Sequence, residues 1–391
     1  MIIKSFDEVV LFARTGLNPR TNFKLGQGTN KYITIKNIRN NSIVIDDNTD
    51  VVDDDAINLI HKRSQIKKGD ILFCSIGRMG DMYIIPEDPK GWDINESVFA
   101  FTLNTEIVRQ KYFYYIFKHQ DTLDFLNQNS SGSTFKSIKM NQLKRMLFKL
   151  PPLEEQDRII SLLDSLCSII EARQQQLQRL DELVKARFVE MFGAYPLNPM
   201  GWKKGIIRDV VADVRYGSSR PAVDGGKYPY LRMNNITYGG ELDLSDVKRI
   251  DVPENELGKC TVRRGDVLFN RTNSKELVGK TCVYDRDEMM VLAGFVIRVR
   301  VNDLVLPEFL SAFLNTDFSK RILLGMCKAA IGQANINAQE MQNIGIYIPP
   351  IELQREFVQF KNQTDKSKAS VQKALDEAQL LFDSLMQKYF R

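Results

Sequence analysis

Two Pro-Pro pairs, Pro151-Pro152 and Pro349-Pro350, are the first places to look for chemistry. An Asn/Asp-Pro-Pro-Tyr/Phe motif would hold the amino group of a flipped base for methyl transfer. Here the pairs sit in LPPL and IPPI, which offer neither the acceptor side chain nor the stacking aromatic. No G-x-G-x-x-G follows a strand-like run and no G-x-x-x-x-G-K-[ST] occurs, so nucleotide cofactors are unsupported; IGRMG (Ile76–Gly80) reads as a turn. The acidic-x-Lys triplet Asp246-Val247-Lys248 is of a kind that arises often by chance and is given no catalytic role. Cys74, Cys167, Cys260, Cys282 and Cys327 form no C-x-x-C pair and read as buried thiols in a reducing cytoplasm. With only His61 and His119 available, a histidine-based metal site is not expected. The chain is expected to carry no catalytic residue, metal or cofactor, and to choose where other proteins act.

The scaffold that must position the remaining polar residues has 391 residues, 43% hydrophobic and 26% charged, which suits two to three soluble domains. No apolar run approaches the roughly 18 residues of a membrane span. MIIKSFDEVVLFAR at the N-terminus carries early acids and lacks a small-residue cleavage site, so it does not read as a signal peptide. The net charge of +5 is unevenly spread. Residues 1–150 hold 21 basic and 17 acidic side chains, 151–192 hold 5 and 8, 193–348 hold 21 and 18, and 349–391 hold 7 and 6. Two mildly basic blocks therefore flank an acidic segment, which permits a nucleic-acid partner without demanding one.

Those blocks are copies of each other. KKGDILF (Lys67–Phe73) returns as RRGDVLF (Arg263–Phe269), and YITIKNI (Tyr32–Ile38) as YLRMNNI (Tyr230–Ile236). RTGLNPR (Arg14–Arg20) resembles RYGSSRP (Arg215–Pro221), and STFKSIKMNQL resembles GQANINAQEM just before each Pro-Pro pair. Kept order and spacing over this many pieces indicate a duplication. KYITIKNI, KYPYLRM and GDILFCSI read as strands, whereas Arg109–Leu126 and Leu306–Leu324 have helical spacing, so each block is expected to be α+β.

After each Pro-Pro pair the period changes. Proline disfavours helix before it, and Glu154 and Glu155 suit the first turn. Leu163, Ile170, Leu177, Val184 and Met191 then recur every seven residues, with Leu180 on a companion line. The second helix carries Phe357, Val371, Ala378 and Leu385, a line interrupted at Thr364, with Leu375 and Phe382 on an adjoining stripe. The two stripes are expected to bury each other as an antiparallel pair. The chain thus divides into 1–150, a helical spacer 151–192, a second block 193–348 and a second spacer 349–391.

Taken together, these pieces resemble a specificity subunit of a type I restriction-modification system, over essentially the whole chain. The second half carries the resemblance best, through GSSRPAVDGGKYPYLRMNNI, DLSDVKRI, RRGDVLFNRTNSKELVGKTCV and IPPIELQ; the first half matches through RTGLNPR, KKGDILFCSIGRMGD, SSGSTFKSI and LPPLEEQ. The resemblance implies two target-recognition domains and two conserved helical regions in a pseudo-twofold cycle. It implies double-stranded DNA with a bipartite target. It implies modification subunits, two of them, docked on the helices and using S-adenosylmethionine, and permits restriction subunits using ATP and Mg. Little sequence precedes the first block, so two helices are expected to do the scaffolding.

Base and phosphate contacts call for Arg, Lys, Asn, Gln and Ser on loops. In the first block the candidates are Asn18, Arg20, Lys36, Asn37, Arg78, Lys136 and Lys139. In the second they are Ser218, Ser219, Arg220, Arg232, Asn234, Asn235, Arg271, Asn273, Ser274 and Lys275. Asn234 and Asn235 equally suit a turn. The acidic run Asp46–Asp55 reads as a solvated loop facing away from DNA. The rival readings are a coiled-coil scaffold or adhesion protein presenting two protein-binding modules, and a self-contained restriction or modification enzyme.

Overall fold

The computed structural model describes residues 1–132, 135–327 and 334–391. Ser133 and Thr134 of the first repeated loop, and Gly332 and Gln333 of its copy, lie outside the described residues. The chain forms two compact units, Met1–Ala172 with Ala374–Arg391, and Arg173–Lys373. Each contains half of each long helix, so the helical segments belong to the cores rather than standing apart as spacers.

In the first unit the GDILF run supplies strand Ile71–Cys74, buried on both faces as its continuous apolar sequence requires. It lies inside an antiparallel sheet ordered Val10–Thr15, Val98–Leu103, Ile71–Cys74, Met82–Ile84. A second sheet places Asn30–Ile33 between Val51–Val52 and a parallel neighbour, Trp92–Ile94. Strand Ile2–Ser5 pairs with Leu147–Leu150 just before the Pro-Pro pair. The second unit repeats this topology. Its main sheet runs Val211–Tyr216, Val296–Val301, Val267–Asn270, Thr281–Val283, and Tyr228–Leu231 again pairs in parallel, here with Met290–Leu292. Lys203–Ile206 pairs with Gly345–Ile348 before the second Pro-Pro pair.

The repeated motifs mark structural devices. Gly69 and Gly265 adopt φ +86° and +87°, which glycine tolerates without strain. The aspartates that follow are buried carboxylates. Asp70 Oδ2 accepts the Lys67 N–H and the Arg14 guanidinium, and Asp266 accepts the Arg263 N–H and a two-pronged Arg300. Each thereby closes its turn and ties it to another strand of the same sheet.

The Pro-Pro motifs work through the glutamine that follows them. Gln156 is fully buried; its amide donates to the carbonyls of Ile107 (2.8 Å) and Pro151 (2.9 Å), and its oxygen accepts the Arg109 N–H (2.9 Å). Gln354 does the same with Leu304, Pro349 and Leu306. Each glutamine latches a helix start to the loop that leads into the block's helical layer, and these latches had no counterpart in the sequence reading.

Two segments of helical spacing each form two helices. Gln110–Ile116 is followed by Gln120–Gln128, capped by His119, and Pro307–Leu314 by Asp317–Met326, capped by Thr316. The acidic run is also partly structural: Asp53 accepts the Ala56 N–H as N-cap of helix Asp54–Ser64, with Asp54 and Asp55 in its first turn.

The long helices are Leu153–Phe192 and Ile351–Phe390, 40 residues each and so about 60 Å long. In the first unit Ile159 and Leu163 share a core with Phe382, Leu385, Met386 and Phe390, whose ring lies 5.0 Å from Tyr112. In the second, Phe188, Met191 and Phe192 share one with Phe357, 5.3 Å from Phe188. The start of each helix thus meets the end of the other, and the two pack antiparallel. Of the proposed seam, Leu163, Met191, Phe357, Val371 and Ala378 are buried, while Ile170, Leu177, Leu180, Val184, Leu375, Phe382 and Leu385 are half-buried. Thr364 does not interrupt the line. It is buried, its hydroxyl satisfied by the Phe360 carbonyl one turn back. Leu166, on the companion line with Leu180, is buried as well, and Phe188 and Met386 also lie buried along these helices and were not anticipated.

Candidate nucleic-acid interface

A cleft of about 480 Å³ opens in the second unit where the two sheets meet. Gly217 lets the chain enter it: a Cβ there would lie 2.2 Å from the Leu292 carbonyl oxygen, and the close pass leads directly into Ser218, Ser219 and Arg220. Arg232 and Asn234 reach the cleft from the turn after strand Tyr228–Leu231, Arg271 from the end of Val267–Asn270, and Phe295, 54% exposed, from the turn before Val296–Val301. Four segments far apart in sequence therefore converge here. Tyr230 underlies them, its hydroxyl donating to the carbonyls of Ser218 and Arg220.

The three cleft arginines differ in their partners. Arg220 forks onto Glu256 (2.8 and 3.2 Å), which holds the Glu256 carboxyl below its ordinary range. Arg232 meets Asp246 at 2.8 Å. Arg271 has no carboxylate partner among the described residues; its guanidinium lies 4.9 Å from the centre of the Tyr216 ring.

In the first unit a different set of loops comes together. Arg78 Nη2 donates to the carbonyls of Ile35 (2.9 Å) and Ile38 (3.3 Å), pinning the loop that carries exposed Lys36. The Gly77 N–H donates to the Lys136 carbonyl, so Lys136 joins the same cluster. Positions matching Arg271 and Phe295 in the repeat are Ser75 and Ser97, joined by a 2.7 Å bond from the Ser75 hydroxyl to the Ser97 carbonyl.

The family model for the type I restriction modification DNA specificity domain matches residues 3–182 and again 199–379. The chain belongs to that family. It is 24% identical over 282 residues to the Escherichia coli EcoKI specificity subunit, covering 67% of this chain and 61% of that protein. It is 23% identical over 331 residues to the Escherichia coli EcoBI specificity subunit, covering 76% and 68%. A putative type I specificity subunit from Methanocaldococcus jannaschii is 24% identical over 49% of this chain and 46% of its own length. The chain thus spans about half to two thirds of these relatives. The fold is similar to that of a chain solved in work on assembly and conformational transition of a type I R-M system (TM-score 0.61, 19% identity, 100% of this chain and 97% of that one). It is also similar to the S subunit of a type I system from M. genitalium (TM-score 0.55, 14% identity, 100% and 96%).

Within this family framework the candidate residues separate by burial. Asn37 and Asn235 are buried, and their side chains close turns. Asn37 Oδ1 accepts the Thr34 N–H and Asn235 Oδ1 the Arg232 N–H, while their amides donate to Val44 and to Asp243 and Asp246. Ser218 is 8% exposed, its hydroxyl accepting the Arg220 N–H. Lys139 is exposed at the start of helix Met140–Leu143, and Asn18, half-buried, accepts Asn22 at its carbonyl. Arg20, Ser219, Asn234 and Lys275 are exposed. Asn273 and Ser274 lie on a separate loop, where the Asn273 side chain accepts the Ser274 N–H and strand Thr272–Asn273 pairs with Ala334–Asn335. The triplet Asp246-Val247-Lys248 is accounted for by the Asp246 pairing with Arg232. No metal-binding cluster occurs among the described residues, and no described helix is long and apolar enough to cross a membrane.

Proposed function

We propose that this chain is the DNA-specificity subunit of a cytoplasmic type I restriction-modification system. Each unit reads one half of a split double-stranded target, and the chain itself catalyses nothing. Two modification subunits dock on the paired helices and methylate adenine with S-adenosylmethionine, and the assembly permits restriction subunits using ATP and Mg. The observation that carries this reading is the pair of family domains with matching cores and unlike loops. Gln156 and Gln354, Asp70 and Asp266, Asn37 and Asn235 are kept in both units, whereas the positions of Arg271 and Phe295 are held in the first unit by Ser75 and Ser97. One framework holding two different polar surfaces is what reading two different half-sites requires.

The test is to express the chain with the neighbouring reading frames of its operon and sequence the genome for methylated adenine, with and without the chain. A split motif that vanishes on deletion is the expected result. Unchanged methylation, together with no DNA binding by the co-purified complex, would favour the two-module protein scaffold. Methyl transfer by the purified chain alone would overturn the non-catalytic assignment.

A further inference from the structure

We propose that Arg271 reads a guanine in the half-site facing the second unit; this rests on the specificity-subunit function above. Arg220 and Arg232, which line the same cleft, are already neutralised by Glu256 and Asp246. Arg271 is not: the one hydrogen bond of its guanidinium to the described residues is a long 3.5 Å contact from Nη1 to the Gly294 carbonyl. It is nonetheless held in place. Its backbone N–H donates to the Phe295 carbonyl (3.0 Å), and its carbonyl accepts the Ile336 N–H (2.9 Å). Its guanidinium rests on Tyr216, whose hydroxyl accepts the Ala338 N–H at 2.9 Å. A planar fork fixed at both ends, with no carboxylate partner among the described residues and opening on a cleft, loses little freedom when it binds.

Guanine is the base that fits this fork, since its O6 and N7 present two acceptors side by side in the major groove. A phosphate also presents two acceptors, but it carries no sequence information. In the first unit the matching residue, Ser75, is 4% exposed and bonded to Ser97, so that half-site is read by other means.

The experiment compares methylated motifs made by the complete system carrying wild-type chain, Arg271→Gln or Arg271→Lys. The wild-type motif should contain a fixed guanine that either variant relaxes, by roughly 5- to 150-fold in preference at that one position, as loss of a bidentate pair implies. The other half-site should stay unchanged, which also shows that the variant folds. Lysine retains a point charge, so it carries the test if the glutamine variant misfolds. Uniformly weaker methylation at an unchanged motif would make Arg271 a phosphate contact and overturn the proposal, as would an unchanged motif at full strength. Absence of any split motif in wild type would remove the underlying function and the proposal with it.

Discussion

At the scale of single residues, what is repeated is what holds the chain together, and what differs is what faces outward. Gln156 shows the first half of that rule. Replacing it by alanine leaves the Ile107 and Pro151 carbonyls and the Arg109 N–H without their partner in a buried site. Gln156→Ala is expected to cost about 2–4 kcal/mol, measured by urea unfolding, and Gln354→Ala a similar amount. A cost under about 0.5 kcal/mol would remove the latch role. Arg232 and Asp246 show the second half. Both are partly or largely exposed, and an exposed ion pair contributes little to stability. Arg232→Ala should leave unfolding almost unchanged while altering DNA binding; an equal loss of both would make it a structural residue.

At the scale of elements, burial varies along the first long helix. Leu163 is fully buried, whereas Leu177 is half-buried. Leu163→Asp should therefore cost several kcal/mol and Leu177→Asp distinctly less, and equal costs would contradict this gradient. Thr364→Val keeps the shape and removes a hydroxyl whose only described partner is its own helix; it should be neutral or slightly stabilising. Lys320 offers a pH-dependent test. Burial, with Lys185 and Lys280 nearby, pushes its ammonium down to about 8, while Nζ donates to the Gly279 carbonyl and lies 5.5 Å from the centre of the Tyr238 ring. Unfolded lysine titrates near ~10.4. Between those values the unfolded chain binds more protons, so this group's contribution to stability rises with pH from about 8 to about 10.4. Lys320→Met should raise the urea midpoint at pH 7 and lose much of that advantage at pH 10. The same gain at both values would show that Lys320 is not the cause.

At the scale of the whole molecule, a net charge of only +5 cannot by itself grip DNA. Binding must come from local loops. With about six phosphate contacts, affinity for the target should fall roughly a thousandfold between 50 and 200 mM salt, read by titration of the assembled complex. A flat salt response would point to the protein-scaffold alternative. Because each unit has its own fold and its own loops, substitutions in the second unit should change one half-site and spare the other.

The sequence alone determined the duplication, the α+β blocks, the two long helices and the family, because those rest on collinear motifs and on apolar period. Periodicity could not tell that Thr364 is buried, since a hydroxyl becomes tolerable in a seam only when the carbonyl one turn back accepts its proton. Nor could it tell that Asn37 and Asn235 are buried: an asparagine in a polar loop looks the same whether it points outward or closes a turn. The latches of Gln156 and Gln354 stayed hidden because their partners, near residues 107 and 304, are almost 50 positions away. The same holds for the cleft. Composition put arginines on loops, but only the tertiary structure decided that carboxylates answer Arg220 and Arg232 while Arg271 lies over the Tyr216 ring without one among the described residues. Charge compensation is settled by proximity in space, and proximity is what the chain acquires on folding.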